Sequence, residues 1–213
     1  MSLRIGLLSD VHAIPDPVEE ALAIFEREGV GLILCGGDIA GYGDELDKTV
    51  ALLRQTDCRS VLGNHDQWTL DRADKAGSVA TLHYLRTLPL ARSFIVEGVF
   101  LYLVHASPPL ETMGGIRLLD ENGRLISGQL AQWNERLACF GHDVLVVGHT
   151  HQIFAEQLGD TLVINPGSTL FNHSCAVLTL PERDLQWFGL SGCDPVSTWN
   201  WSAGSTGLMP RNS

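Results

Sequence analysis

Short apolar runs that each break off into Asp, His or Asn constrain this chain more than any other feature. Residues 3–8 run into Asp10-Val11-His12, residues 31–35 into Gly36-Gly37-Asp38, and residues 60–62 into Gly63-Asn64-His65-Asp66. Apolar runs this short read as strands covered on both faces. Amphipathic stretches separate them. Asp16 is placed to cap a helix with Pro17 at its first position and Glu19 three residues on, with Val18, Ala21, Leu22 and Phe25 on one face and Gly29 at its end. Asp44 opens a second helix with Leu46, Val50 and Leu53 on one side, and Ser127 opens another carrying Leu130, Trp133 and Leu137.

The second half reads as strands at 92–96, 99–104, 144–147, 153–158, 161–164, 176–180 and 185–190. Glu97-Gly98, Gly159-Asp160 and 181–184 are tight connections that predict antiparallel hairpins. This order predicts an α/β or α+β fold of two packed sheets flanked by helices, in one domain spanning 1–190. Residues 191–213, rich in Gly, Ser, Thr and Asn and without periodicity, are expected to form a C-terminal tail.

Composition narrows the function. With 45% apolar and 18% charged residues the chain can build a core rather than remain disordered. A formal charge of -11 argues against a nucleic-acid polymer as partner, because such binding depends on cations that neutralise phosphates. Cys35, Cys58, Cys139, Cys175 and Cys193 are odd in number and lack CxxC spacing, so reduced thiols are expected. No apolar run approaches the roughly 18 residues of a spanning helix, and no signal-peptide pattern precedes the first strand, so the expected location is cytoplasmic, away from membranes.

The polar clusters share a chemistry. Strand alternation would turn Asp10 and His12 to one side, and likewise His149 and His151 in Gly148-His149-Thr150-His151 after the run at 144–147. His105 closes the run at 99–104. Five strand ends therefore carry ligand-type residues, where α/β sheets gather their sites. His83, His142 and His173 lie outside these motifs and read as structural. Trp187, Trp199 and Trp201 read as packing residues rather than a base-stacking platform.

Taken in order, Asp10-Val11-His12, Gly37-Asp38, Gly63-Asn64-His65-Asp66, His105 and Gly148-His149-Thr150-His151 resemble the signature motifs of the calcineurin-like metallophosphoesterases, over residues 1 to about 180. The resemblance implies a four-layer α/β/β/α sandwich of two mixed sheets. It places Asp10, His12, Asp38 and His151 on one divalent metal and Asp38, Asn64, His105 and His149 on the other, with Asp38 bridging. Oxygen and imidazole donors without thiolate suit two ions drawn from Mn, Fe, Ni, Mg or Zn, which would activate water for in-line attack on a phosphoester. In this reading His65 is the general acid, Asp66 orients its imidazole, and Asn165-Pro166-Gly167-Ser168 shapes the site floor.

The stretch Gly37-Asp38-Ile39-Ala40-Gly41-Tyr42-Gly43 lacks the Asp-Arg pair of the phosphoprotein phosphatases and is similar to the small bacterial and archaeal phosphodiesterase branch. A small phosphodiester or nucleotide is the substrate this implies. The alternatives are a phosphomonoesterase or protein phosphatase of the same superfamily, and a non-catalytic protein-interaction scaffold. Residues 107–120, with Pro108, Pro109, Gly114, Gly115 and a single cation, Arg117, form the candidate substrate-facing loop.

Overall fold

The computed structural model describes residues 2–72 and 77–199. In chain order the elements are β1 (Leu3–Leu8), α1 (Pro15–Arg27), β2 (Leu32–Cys35), α2 (Leu46–Gln55), β3 (Arg59–Ser60), α3 (Asn64–Asp71), α4 (Val79–Thr87), β4 (Ala91–Val96) and β5 (Val99–Val104). They continue as α5 (Ser127–Leu137), β6 (Val144–Val146), β7 (Ile153–Leu158), β8 (Thr161–Pro166), β9 (Ser174–Leu180) and β10 (Asp184–Gly189).

Two five-stranded mixed sheets result. The first has the order β10-β9-β1-β2-β3, with β1, β2 and β3 parallel and β9 antiparallel to β1. The second has the order β4-β5-β6-β8-β7, with β5, β6 and β8 parallel. The three expected tight connections do join antiparallel pairs: β4 with β5, β7 with β8, and β9 with β10.

Strand alternation explains the layering. Ile5 and Leu7 of β1, Leu34 of β2 and Leu178 of β9 point inward and meet Leu101, Leu103, Val144, Val146 and Ile164 of the second sheet. Their neighbours Leu8, Cys35 and Val177 point outward under α1 and α2, against Val18, Phe25, Val50 and Leu53. On the far side Val104, Leu145 and Val163 are covered by Trp133 and Leu137 of α5. Every central strand is apolar on both faces because each face belongs to a different core.

Helix starts differ from expectation. α1 begins at Pro15 with Ile14 as its cap, one residue before Asp16, because a proline in the first turn forfeits no needed N–H and Asp16 then faces the positive end of the helix dipole. α2 begins at Leu46, two residues past Asp44. α3 has no counterpart among the expected helices. It starts on Asn64 because the Asp66 carboxylate accepts the Gly63 N–H at 2.9 Å and closes the first turn.

Periodicity ends at Leu190, yet residues 196–199 stay bonded to the domain. The Ile153 N–H donates to the Ser197 carbonyl at 2.8 Å, the Val196 N–H to Asn172 at 2.9 Å and the Trp199 N–H to His151 at 3.2 Å. The rest of the expected tail, 200–213 with Trp201, lies outside the described residues. Among the described residues no helix is long and apolar enough to cross a membrane. The five cysteines are free, with Cys35, Cys58 and Cys175 buried and Cys139 and Cys193 exposed.

Candidate metal centre

The parallel strands of both sheets deliver their following loops to one place, but the pleat does not aim the side chains. β1 ends at Leu8, and Asp10 and His12 lie beyond it in left-handed backbone, each with φ of 51°. Asp38 (51°), His149 (66°) and His151 (49°) adopt the same conformation. For non-glycine residues this costs roughly 1–2 kcal/mol apiece, and such strain persists only where surrounding bonds enforce it. Those bonds are present. The Asp10, His12 and Ala13 N–H groups donate to the carbonyls of Gly37, Asp38 and Ile39 at 3.0, 2.9 and 2.7 Å, which extends the β1–β2 pairing past both strands. The His149 N–H in turn donates to the Asp10 carboxylate at 3.0 Å.

Three overlapping groups of donor atoms form there, each within 4.8 Å: Asp10, His12 and His151; His12, Asp38 and His65; and Asp38, His105 and His149. His12 Nε2 and His151 Nε2 face each other at 3.2 Å, and His151 Nε2 is 3.4 Å from Asp10 Oδ1. On the other side His105 Nε2 lies 3.4 Å from Asp38 Oδ1, while Asn64 Oδ1 lies 3.0 Å from His105 Nε2 and 2.9 Å from His149 Nδ1.

The outer ring nitrogens fix the tautomers. His105 Nδ1 is 2.6 Å from the Gly36 carbonyl and His12 Nδ1 is 3.3 Å from that of Ala40. A carbonyl only accepts, so these nitrogens carry a proton and turn both Nε2 atoms inward, as in imidazoles that ligate metals. The Asn64 amide can face either way. Turned over, its NH2 could donate to His149, His105 and the Thr112 carbonyl, whereas a cation among these atoms favours the oxygen inward. An inward-facing set of carboxylate, amide and imidazole groups without thiolate fits divalent cations, which take oxygen and imidazole-nitrogen donors of this kind.

Electrostatics agree with this donor set. Burial opposes ionisation of Asp10, yet the hydrogen bond and charge of His151, with His105 and His12, hold its carboxyl well below the usual range. Asp38 is also lowered: burial opposes this, and His105 prevails. Burial pushes His12 down to about 3, and burial with the neighbouring His105 takes His149 down to about 4, so both rings are neutral and able to ligate. Burial works against a charged His105, but Asp38 raises it, and a metal ion would take the place of the proton they share.

Around the ligands stands a supporting layer, in which Asn165 and Ser168 belong to the segment expected to shape the site floor, while Ser9 and Asn172 belong to no motif. The Ser9 hydroxyl donates to Asp10 Oδ2 at 2.6 Å, the Ser168 hydroxyl to the Asp10 carbonyl at 2.6 Å and the Asn172 amide to the His151 carbonyl at 3.0 Å. Asn165 Nδ2 donates to the Gly148 carbonyl and Thr150 Oγ1, both at 3.0 Å. The Asp66 oxygens accept the Ala40 N–H at 2.7 Å and the Gly63 N–H at 2.9 Å, so it ties the Asp38 loop to the start of α3. Both bonds come from backbone donors and neither from the His65 imidazole. Burial and the nearby Asp38 raise its pKa.

Gly63 sits where two ligand loops touch. A Cβ on it would collide with the carboxylate and backbone nitrogen of Asp38. Gly63→Ala is therefore expected to lower the melting temperature by roughly 3–10 °C, given about 1–3 kcal/mol for overpacking in a domain of this size. Gly128→Ala, which meets nothing within 4 Å on α5, should leave the melting temperature level or raise it. Thermal melts of the two variants check this.

The donor groups open into a cleft of about 220 Å³ lined by Asp38, Asn64, His65, His149 and His151, with Tyr42, Trp68, Met113 and Arg117 at its walls. Thus the middle of the 107–120 loop does face the site. A larger cavity of about 900 Å³ shares Met113 and Gly114 but holds none of the donor residues; His142 lines it. Among the described residues His83, His142 and His173 belong to none of the three donor groups.

The family described as the calcineurin-like phosphoesterase superfamily domain matches residues 3–181. The chain belongs to this superfamily. The calcineurin-like phosphoesterase is 31% identical over 168 residues to a Methanothermobacter thermautotrophicus protein named probable metallophosphoesterase, covering 78% of this chain and 77% of the relative. It is similar in fold to a metallophosphoesterase from Sphaerobacter thermophilus, with a TM-score of 0.65, 24% identity and 88% of each chain covered. A structure described as a novel archaeal phosphodiesterase has a TM-score of 0.57 at 18% identity, covering 88% of this chain and all of the other. Both structural likenesses are likenesses of fold. Superfamily membership makes phosphoester hydrolysis the class of chemistry, and the clustered Asp and His residues are its candidate metal ligands.

Proposed function

We propose that this calcineurin-like phosphoesterase hydrolyses a small phosphodiester at a dinuclear metal centre. Asp10, His12, Asp38 and His151 would hold one ion, and Asp38, Asn64, His105 and His149 the other. The observation that carries this reading is the position of Asp38, which shares a donor group with His12 and His65 and another with His105 and His149, so that one carboxylate reaches both halves. Bound there, divalent cations supply Lewis-acid charge and make a water molecule acidic enough to attack at neutral pH.

His65 follows as the proton donor to the leaving oxygen. Its backbone N–H donates to Asp38 Oδ1 at 2.9 Å, while its half-buried ring lies in the cleft. One residue therefore anchors the shared carboxylate and offers an imidazole to the substrate. Burial lowers its pKa, which makes the protonated ring, the form that donates to the leaving oxygen, a stronger acid.

The preference for a diester is supported by charge. A diester phosphate carries one negative charge against up to two on a monoester, and Arg117 is the one Lys or Arg among the residues lining the cleft. Turnover of bis(p-nitrophenyl) phosphate and p-nitrophenyl phosphate with Mn(II) tests the reading, and a higher kcat/KM for the monoester would overturn it. Arg117→Ala is expected to raise KM for the diester about tenfold with kcat little changed, since a charge-assisted contact to a non-reacting oxygen binds ground and transition states alike. Arg117→Lys should recover part of that loss in the same steady-state assay.

A further inference from the structure

A cleft of about 220 Å³ is too small to enclose a whole ligand, since pockets that do so measure roughly 300–1,000 Å³. It has room for a phosphoryl group and the atoms next to it, and the remainder of any substrate must lie across the rim. Two large aromatic side chains stand on that rim. Tyr42 is 40% exposed and Trp68 is 41% exposed. They come from separate elements: Tyr42 lies four residues past Asp38 in the loop after β2, and Trp68 lies one turn past His65 on α3.

Both touch the same ring. The His65 imidazole centroid is 5.0 Å from that of Tyr42 and 4.8 Å from that of Trp68. Packing against His65 accounts for one side of each residue. It does not account for the large area that each leaves in water beside a polar site, where smaller or polar side chains would position an imidazole equally well. Met113, 54% exposed and lining the same cleft, adds a polarizable thioether that adapts to aromatic surfaces.

We propose that Tyr42 and Trp68 form a stacking rim for a planar ring carried by the substrate, which makes the substrate an aryl or nucleoside phosphoester. The placement of the phosphate rests on the hydrolase reading above, whereas the affinity for the ring does not. Stacking of this kind tolerates many ring types because every base presents a π-face. A single nucleotide is compatible with the formal charge of -11, since it brings few phosphates to the acidic surface.

The test compares two ligands that differ only in the ring. Calorimetric titration of the Mn(II)-loaded full chain with adenosine 5′-monophosphate and with ribose 5-phosphate should show the nucleotide binding about 10- to 100-fold more tightly. Trp68→Ala should remove most of that ratio, Tyr42→Ala should reduce it, and Trp68→Phe should keep most of it. Equal or undetectable binding of the two ligands by the wild type overturns the proposal, as does a ratio that survives both alanine variants. A clear nucleotide preference in a chain that hydrolyses no phosphoester would refute the hydrolase reading and leave the stacking rim standing. Hydrolysis without any ring preference would do the reverse.

Discussion

Asp38→Asn should lower kcat/KM on bis(p-nitrophenyl) phosphate by about 10³-fold or more, because the loss of Lewis-acid stabilisation worth several kcal/mol corresponds to at least that factor. The change is close to isosteric. An asparagine oxygen can still accept the His65 N–H that reaches Asp38 Oδ1 at 2.9 Å, and it leaves intact the backbone bond from His12 to the residue 38 carbonyl. What disappears is the charge at the junction of two donor groups, 3.4 Å from His105 Nε2. The loss should therefore be one of metal affinity and turnover with the fold retained. Circular dichroism melts check the fold and metal analysis the occupancy. A variant with full activity would exclude a shared carboxylate at this position.

His65→Ala should reduce kcat by about 10²- to 10⁴-fold on a diester with a poor alkyl leaving group, the range expected for a positioned proton donor. On the p-nitrophenyl diester the loss should be much smaller, because nitrophenolate departs without a proton. His65 is half-buried, and its backbone N–H, the part that holds Asp38, survives the substitution. Metal content should be unchanged. Equal losses on both substrates would mean that the ring acts on something other than the leaving oxygen.

Much of the fold was legible because its physics is local. Alternation along residues 3–8, 99–104 and 144–147 puts apolar groups on both faces, and only a strand between two cores can use them. Hairpin connections such as Glu97-Gly98 announce themselves by composition. The ligand-type residues stood out because Asp10, His12, Asp38, His149 and His151 break apolar runs where a core would not tolerate them.

What could not be read depends on contacts across the chain. Strand alternation seemed to explain why Asp10 and His12 converge, but their left-handed backbone is imposed by carbonyls of Gly37 and Asp38 almost thirty residues away in the chain. Asp66 read as a partner of His65 because the two are adjacent, whereas its acceptors are used by Ala40 and Gly63. A carboxylate three residues after a glycine was the signal of a helix start, and Asp66 is the side chain that closes the first turn of α3 on the Gly63 N–H. Trp68 carried no motif, and Tyr42 stood only within the stretch Gly37 to Gly43. Their meaning comes from exposure beside a buried polar cluster, a property that exists only once the loops are assembled. Residues 191–199 lack periodicity because their bonds run to Asn172, Ile153 and His151 rather than within a repeating element.

If one carboxylate joins two metal positions, the number of bound ions depends on Asp38. Equilibrium dialysis against Mn(II) followed by elemental analysis should find two ions per chain in the wild type and at most one in Asp38→Asn. A wild type that holds a single ion, or an Asp38→Asn chain that keeps both with undiminished affinity, would contradict it.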